Sequence, residues 1–278
     1  MFASGLIRIS FIAAVLVTAG CDSNVPVAEN DTELDMYGQP NLNGIWQALG
    51  SAHWNLEAHA ASAGPIVELG ALGGIPAGQS VVVGGEIPYQ PWAREKQQQH
   101  LANWLEHDPA IKCFMAGVPR STYMPYPFQI AQGSETILIT YEFAGATRIV
   151  YLNRPDFEHP FEAWMGHSRG RWEGETLVID VTSHIPDTWF DSSGNFHSEE
   201  LRVEERFRKV SENVLNYEAT ITDPKVFTRP WSIRMPLYRR LEENAQLLEY
   251  KCVEFAEELM YGHLVKKPDS EAAAKPEK

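Results

Sequence analysis

The sequence predicts a mainly β protein: an antiparallel β-barrel with one or two helices near its N-terminal half. Two observations support this fold class. From Phe128 onward the chain contains short segments in which apolar and polar side chains alternate, and residues typical of turns lie between them. About eight to ten such strands suit a barrel or a strongly curled sheet. Because alternation does not show whether a sheet closes, a β-sandwich is the alternative.

The helical part of this prediction lies ahead of most of the strands. A helix is expected over residues 92–106, because Pro91 has the fixed φ angle that suits a first helical position. A shorter helical stretch is expected over residues 53–59. The apolar edge of the longer helix is formed by Leu101, Trp104 and Leu105.

The strands follow one another closely. Glu173-Gly174 predicts a tight hairpin turn, since glycine adopts positive φ angles at no steric cost. The next strand alternates Leu177, Ile179 and Val181 with polar residues, which indicates one buried face. By residue number, the predicted strands begin at 44 and at 128 and then cover 136–143, 147–152, 176–182, 201–207, 214–222, 231–235 and 247–253.

The first 20 residues predict export. Arg8 is followed by an apolar run that is too short to span a bilayer, and small residues lead up to Cys21. This arrangement resembles a bacterial lipoprotein signal, in which Cys21 is lipidated and becomes the first residue of the mature protein. An ordinary secretory signal cut nearby is the alternative. The lipoprotein interpretation predicts a periplasmic protein attached to the bacterial membrane by its N-terminal lipid anchor.

The rest of the chain divides by composition. Residues 21–36 are acidic and aperiodic, as tethers are, while residues 265–278 combine two prolines with many charges and predict a disordered tail. Residues 37–264 then form a single β-rich domain with room for a substantial core. The 23 basic and 37 acidic residues give a net charge of −14. Because so acidic a surface repels phosphate backbones, nucleic acid is excluded as an expected partner.

The number of cysteines predicts one disulfide. The chain has 3 cysteines, and lipidation of Cys21 leaves Cys113 and Cys252 in an oxidising compartment. A bond between them would join the segment after the predicted helix to the last predicted strand. Two separate buried thiols are the alternative.

Two resemblances to known families extend these predictions. Gly44-Ile45-Trp46 is similar to the Gly-x-Trp of the first strand in lipocalins and their calycin relatives, which implies that Trp46 packs at one end of a barrel. Further stretches resemble a large family of exported bacterial proteins, most of which carry no assigned function, so this resemblance implies no activity. These stretches fall within residues 40–255 and are 112–113, 117–120, 125–128, 141–142, 166–174 (Gly-His-Ser-Arg-Gly-Arg-Trp-Glu-Gly), 197–198, 204–207 and 223–225.

The stretch over residues 164–207 carries the strongest indication of chemistry. It contains three histidines and three tryptophans within and between two predicted strands. The loop over residues 183–200 that joins these strands is far longer than a hairpin needs, and long loops in compact domains are usually functional or disordered. Because this loop is too aromatic to be disordered, we expect the functional site here.

His167 and His197 flank the strand pair and are predicted to act as a proton-transfer pair, because imidazole titrates near neutrality. Asp191 or Glu142 is expected to orient or charge one of them. The competing interpretation for each histidine alone is a hydrogen-bonded residue at a strand end. For Glu142 it is a cross-strand ion pair with Arg148.

No metal or cofactor is expected. A metal site would require three or four of His167, His184, Asp191 and His197 to converge, and the chain has no HxH, HExxH or compact facial triad. It also has no P-loop and no GxGxxG motif.

A small hydrophobic or aromatic molecule is the expected ligand. Aromatic side chains can line its pocket, although residues of this kind more often belong to a core. The predicted binding residues are Tyr123, Tyr126, Tyr141, Trp164, Arg169 and Trp189. The chain is therefore expected to be a cofactor-independent acid–base enzyme of the bacterial envelope, namely a lyase, an isomerase or a hydratase. A lipocalin-like carrier lipoprotein without catalysis is the alternative.

Overall fold

A computed structural model of the chain describes residues 33–64, 67–154, 160–250 and 252. The predicted signal peptide, Cys21, most of the tether and the predicted tail at 265–278 lie outside these residues. Within the described residues, no helix is both long enough and apolar enough to cross a membrane.

The architecture is a closed β-barrel of nine strands in which neighbours in sequence are neighbours in the sheet, and the ring closes between the first strand and the last. The prediction of a mainly β barrel is confirmed, and closure excludes the sandwich alternative. The strands are β1 Gly44–Ala48, β2 Phe128–Gln132, β3 Thr136–Tyr141, β4 Thr147–Leu152, β5 His167–Glu173, β6 Thr176–Thr182, β7 Arg202–Ser211, β8 Val214–Thr222 and β9 Trp231–Arg239.

One pair of strands departs from the predicted antiparallel pattern. β4 and β5 are parallel, with Val150 opposite Ser168, while the other pairs of neighbouring strands are antiparallel. Strand directions can alternate around a closed ring only if the number of strands is even. A ring of nine strands therefore needs a parallel pair, and the chain must run back along the barrel between β4 and β5.

Side chains that point into the barrel form its apolar core. Leu177, Ile179 and Val181 on β6 are fully buried, and the register sets Leu177 opposite Phe207 and Val181 opposite Val203. Burying a side chain of this size contributes roughly 1.5–3 kcal/mol. The period-two pattern of the sequence therefore marks the inward face of the sheet.

Trp46 packs inside the barrel, as its resemblance to the lipocalin tryptophan implies. Its side chain is fully buried, and its indole Nε1–H donates a hydrogen bond of 2.9 Å to the Leu42 carbonyl. The Arg239 guanidinium lies 4.6 Å from the centre of the indole ring, in cation–π geometry. Because Trp46 pairs in register with Arg239, the last residue of β9, this contact lies at the seam that closes the ring.

The helices differ from the prediction. The expected helix over 92–106 is divided at Asn103, whose backbone is not helical, and residues 53–59 form turns rather than a helix. Leu101 and Leu105, expected on a buried edge, are 46% and 39% exposed. The helices are α1 Pro91–Ala102, α2 Trp104–His107 and α3 Arg120–Tyr123, with 3-10 helices at Val67–Gly73 and Phe143–Gly145.

The first of these helices buries an unexpected face because of what it packs against. Ala93 and Gln97 are its buried residues, and the Gln97 amide donates a hydrogen bond of 2.6 Å to the Ser193 carbonyl. The helix therefore packs on the apolar core through Ala93 and contacts the polar backbone of the long loop after β6 through Gln97.

The expected last strand over residues 247–253 is also wrong over its described part, since residues 247–250 belong to no strand. The physical reason is closure. β9 is longer than predicted and pairs with β1 as well as β8, which leaves no open sheet edge for a further strand.

Cys113 and Cys252 form a disulfide, with their Cα atoms 5.6 Å apart. The predicted pairing is confirmed. The bond connects the segment after α2 to the chain beyond β9.

Reduction of this disulfide should lower the free energy of unfolding. The cysteines are 139 residues apart in sequence, and closing a loop of that length is worth on the order of 4–5 kcal/mol in the chain-entropy model. Urea unfolding with and without reductant measures the difference, and a Cys113→Ala/Cys252→Ala variant should match the reduced protein. Equal stability in both redox states would show that the bond does not constrain the unfolded chain.

Candidate functional site

Two long segments pack on each other over the end of the barrel where β6 finishes. The first covers residues 49–127, between β1 and β2, and the second covers residues 183–201, between β6 and β7; together we call them the cap. The Leu56 N–H donates a hydrogen bond of 2.8 Å to the Asp191 carboxylate, and the Tyr123 hydroxyl donates one of 2.8 Å to the Phe190 carbonyl. These contacts join the two segments.

A buried ion pair holds the cap in one arrangement. The Arg120 guanidinium donates to both carboxylate oxygens of Asp108 at 2.7 Å each, and both side chains are almost completely buried. The Ser192 hydroxyl lies 3.0 Å from the guanidinium and donates to the same carboxylate at 3.2 Å. A bidentate pair of this kind fixes geometry as well as charge.

Asp191 organises the second segment of the cap. Its carboxylate accepts hydrogen bonds from the Ser193 N–H at 2.9 Å and the Asn195 amide at 2.6 Å, in addition to that from Leu56. Burial raises the pKa of Asp191 to about 7, although these donors act in the opposite direction. These contacts give Asp191 a role in shaping the loop, and its role in orienting a histidine stays a prediction.

His197 is buried in the cap with both ring nitrogens engaged. Nδ1 lies 2.8 Å from the Ser198 carbonyl, which can only accept, so Nδ1 carries the proton. Nε2 then accepts from the Thr188 hydroxyl at 2.6 Å. Burial lowers the pKa of His197. This residue is therefore held as a neutral imidazole of fixed orientation.

His184 lies next to His197, with ring centres 5.9 Å apart, and it is fully buried. Neither of its ring nitrogens has a hydrogen-bond partner among the described residues. Burial lowers the pKa of His184 to about 3, the positive charge of Arg148 acts in the same direction, and the nearby Val181 carbonyl opposes them. Gly166 makes room for the ring, because a Cβ there would lie 3.0 Å from His184 Cε1.

A polar cluster lies inside the barrel among apolar neighbours. The Arg148 guanidinium contacts the Glu205 carboxylate at 2.6 Å and the Ser168 hydroxyl at 3.2 Å, and the Tyr217 hydroxyl donates to Glu205 at 2.8 Å. Arg148 Nε and Nη2 are buried without a hydrogen-bond partner among the described residues. Burial raises the pKa values of Tyr141 and Tyr217, so both hydroxyls stay protonated near neutral pH. We call these five residues the interior cluster.

The interior cluster reaches the cap. The Tyr141 hydroxyl lies 3.4 Å from the Thr122 hydroxyl on α3, and the Arg148 guanidinium lies 5.9 Å from the Tyr141 ring. The Arg148 charge also acts on His184, so the interior cluster and His184 influence each other electrostatically.

The two histidines of the predicted pair have different surroundings, and their joint role in proton transfer stays a prediction. Side chains alternate along β5, and because Ser168 points into the barrel, His167 lies on the outer face with Arg169. His167 Nε2 donates to the Phe161 carbonyl at 3.0 Å. No hydrogen bond joins His167 to His197 within the described part of the chain. The partner that His197 meets is His184, which sequence reasoning considered only as a metal ligand.

Glu142 also has a different partner from either of those expected. Its carboxylate accepts a hydrogen bond of 2.8 Å from the Leu248 N–H. The ion pair with Arg148 is wrong, because Arg148 points into the barrel and pairs with Glu205.

The predicted ligand-binding residues fall into several environments. Tyr123 and Tyr141 are buried, and Tyr126 packs in a small apolar cluster with Phe143. Trp164 and Trp189 line one surface cleft, whereas Arg169 lines another. Of the predicted residues, Trp164 and Trp189 therefore share a cleft.

The 183–201 segment contributes to both clefts, with its two ends lining one cleft and its middle lining the other. The cleft lined by Arg169 has a volume of about 680 Å³ and includes Ser183, which precedes His184. The other, of about 580 Å³, includes Phe196, which precedes His197.

Sequence reasoning missed most of the interior cluster as a site. One signal was available: Glu205 occupies an inward position of β7, between Val203 and Phe207, where the pattern calls for an apolar residue. Arg148 occupies the corresponding position ahead of Val150 on β4. A charge at an inward position of a barrel strand needs a partner inside the barrel.

Among the described residues, no group of three or more His, Cys, Asp or Glu side chains converges as metal ligands would. No protein-family model matches the chain, and no curated protein matches it.

Burial of neutral His184 should make the protein less stable in acid. Its pKa is about 3 in the folded state against 6.5 for an exposed imidazole, so the unfolded chain binds the extra proton in this range. Above pH 6.5 this residue is neutral in both states and does not make stability depend on pH. As the pH falls from 6.5 toward the folded pKa, the free energy of unfolding decreases, and the loss is about 2–3 kcal/mol at about pH 4.5.

Urea unfolding of the wild type and of His184→Asn across this range measures the effect, with His107→Asn as the control for loss of an exposed imidazole. Two other buried groups also make stability depend on pH. His53, whose pKa is lowered to about 4, reduces stability in acid as His184 does, whereas Asp191, whose pKa is raised to about 7, increases it. The informative quantity is therefore the difference between variants. If His184→Asn retains the wild-type pH dependence, His184 is not the group responsible.

Proposed function

We propose that the protein is a cofactor-independent acid–base enzyme, of the lyase, isomerase or hydratase type, acting on a small hydrophobic or aromatic molecule. The observation that carries this proposal is a set of buried nitrogens with no hydrogen-bond partner among the residues that the structure describes: Nε and Nη2 of Arg148 and both ring nitrogens of His184. The proposed centre is the interior cluster together with His184.

The first supporting argument is energetic. A buried polar group without a hydrogen bond costs roughly 1–3 kcal/mol, and such groups are often satisfied by a bound molecule. A ligand with a carbonyl, hydroxyl or carboxylate oxygen would meet the unpaired N–H groups of Arg148. Apolar side chains of the barrel core, such as Val181 and Ile221, suit a hydrophobic or aromatic body.

The second argument is chemical. Arg148 can stabilise negative charge that develops on a substrate oxygen, and its N–H groups are already fixed in place. Glu205 is the proposed base: it takes the proton from the substrate and returns it to the product. Tyr217 orients its carboxylate. His184 is neutral because of burial, and a pKa of about 3 makes it a poor base near neutrality. Its proposed role is therefore to donate a hydrogen bond to the substrate. His197 and Asp191 support the cap.

The test begins with metabolites that accumulate when the protein is deleted, followed by turnover of those compounds by the purified protein. Glu205→Gln should reduce turnover by about 10²–10⁴-fold. Tyr217→Phe should reduce it less, because it keeps the ring volume and removes only a hydroxyl. Tyr238→Phe, on the partly exposed face of β9, is the matched control. Circular dichroism must show that each variant folds, since Glu205→Gln leaves Arg148 uncompensated.

A carrier without catalysis is the second candidate, and a specific observation favours it. Both nitrogens of His197 are engaged, and the depressed pKa of His184 makes that imidazole a poor base at neutral pH. A compound that binds and is recovered unchanged, with turnover insensitive to Glu205→Gln, would support the carrier and overturn the enzyme proposal.

We also propose that the chain is a periplasmic lipoprotein anchored through Cys21. The apolar N-terminal run before Cys21 supports this, and the Cys113–Cys252 disulfide fits an oxidising compartment. Wild-type protein should partition into detergent and incorporate labelled fatty acid, whereas Cys21→Ala should do neither. An unlabelled, freely soluble wild-type protein would favour an ordinary secretory signal instead.

A further inference from the structure

We infer that the cleft between α1 and the 183–201 segment is a binding site for a planar aromatic carboxylate. This site goes beyond the proposed function, because it uses different residues and requires no catalysis in the barrel. We call it the aromatic cleft.

Two stacked pairs of rings line the aromatic cleft. Phe114 and Trp164 stack with ring centres 4.8 Å apart and planes within 7°, and His100 and Trp189 stack at 4.7 Å and 14°. Phe114 is 46% exposed, so part of this stack remains open to a ligand. Flat faces of this kind favour a flat ring over a flexible chain, since aromatic pairs add about 0.5–1.5 kcal/mol beyond the area that they bury.

The charges around the cleft favour an anion. Lys96 and Lys112 line it, and neither forms an ion pair within the described part of the chain. Asp187 is the acidic residue among those lining the cleft, so the two ammonium groups outnumber it. On a chain with a net charge of −14, this excess of positive charge marks a place where a carboxylate is attracted rather than repelled.

One of these lysines lies over an aromatic ring, and the other is close in sequence to one. Lys96 Nζ lies 4.6 Å from the centre of the Phe196 ring, and Lys112 is two residues from Phe114. A ligand that stacks on the rings would therefore bring its carboxylate near an ammonium group. Burial lowers the pKa of His100, so this imidazole serves as a neutral ring near pH 7 rather than as a third cation.

Both walls of the aromatic cleft are fixed before a ligand arrives. Cys113, between Lys112 and Phe114, is tied to Cys252 by the disulfide. On the other side, α1 lies so close to Gly194 that an added Cβ would be 2.5 Å from His100 Cβ. Fixed walls lower the ordering cost of binding. The cleft volume of about 580 Å³ also falls within the usual range for small-molecule sites.

Calorimetric titration of the oxidised protein with naphthoate tests the inference. Naphthamide, which is flat but neutral, and decanoate, which is anionic but not aromatic, should both bind more weakly than naphthoate. Phe114→Ala should weaken naphthoate binding by about 2–12-fold, the loss of one stacking contact. Lys112→Gln should weaken it by about 2–5-fold, as expected for one exposed charge pair.

Matched controls test whether naphthoate binds in the aromatic cleft rather than elsewhere on the protein. Phe161→Ala removes an exposed phenylalanine at the other cleft, and Lys225→Gln removes an exposed lysine outside the aromatic cleft; neither should change the affinity. The inference is overturned if naphthoate does not bind, if Phe114→Ala and Lys112→Gln bind it as well as the controls do, or if naphthamide or decanoate binds equally well. Binding lost in Tyr217→Phe but kept in Phe114→Ala would place the ligand inside the barrel and also overturn it.

Discussion

Closure of a ring with an odd number of strands is the constraint on which the rest of this structure depends. Because β4 and β5 must run in the same direction, the chain returns along the barrel before β5 begins. The described part of that return binds to the cap: the Ala163 N–H donates to the Ser183 carbonyl at 2.9 Å, and the Ile185 N–H donates to the Ala163 carbonyl at 3.1 Å. The parallel pair thus brings the return segment beside His184.

The same return segment supplies one side of the aromatic cleft. Trp164 follows Ala163 and stacks on Phe114 from the first cap segment. An all-antiparallel barrel of even strand number would connect β4 to β5 by a hairpin, with no chain to lay against the cap. Strand number and site architecture are therefore coupled in this fold.

Much of the barrel could be predicted from the sequence, because it depends on local alternation. The predicted strands at 147–152 and 176–182 coincide with β4 and β6, and the disulfide followed from counting cysteines. The interior cluster could not be predicted in this way. Arg148 and Glu205 are 57 residues apart, and alternation indicates that each points inward but not that they meet. Only closure of the ring decides which inward positions face each other.

The helical errors have a similar cause. Leu101 and Leu105 form a reasonable apolar edge in sequence, but α1 buries Ala93 in the core and Gln97 against the backbone of the 183–201 segment. Gln97, which a hydrophobic pattern treats as solvent-facing, is the residue that this surface requires. A polar cap needs hydrogen-bonding partners at its contacts, and apolar periodicity carries no information about them.

The parallel pair also has a consequence for how the chain folds. β1–β4 and β5–β9 are two blocks of sequentially adjacent, antiparallel strands, and they meet at two seams, β4 with β5 and β9 with β1. The β9–β1 seam joins residues such as Trp46 and Arg239, from opposite ends of the domain. Contacts between such distant residues form slowly, because loop-closure entropy opposes them until both partners are in place. Hairpins within each block are therefore expected to form early, and the Trp46–Arg239 contact belongs to the late step that turns two open sheets into one barrel.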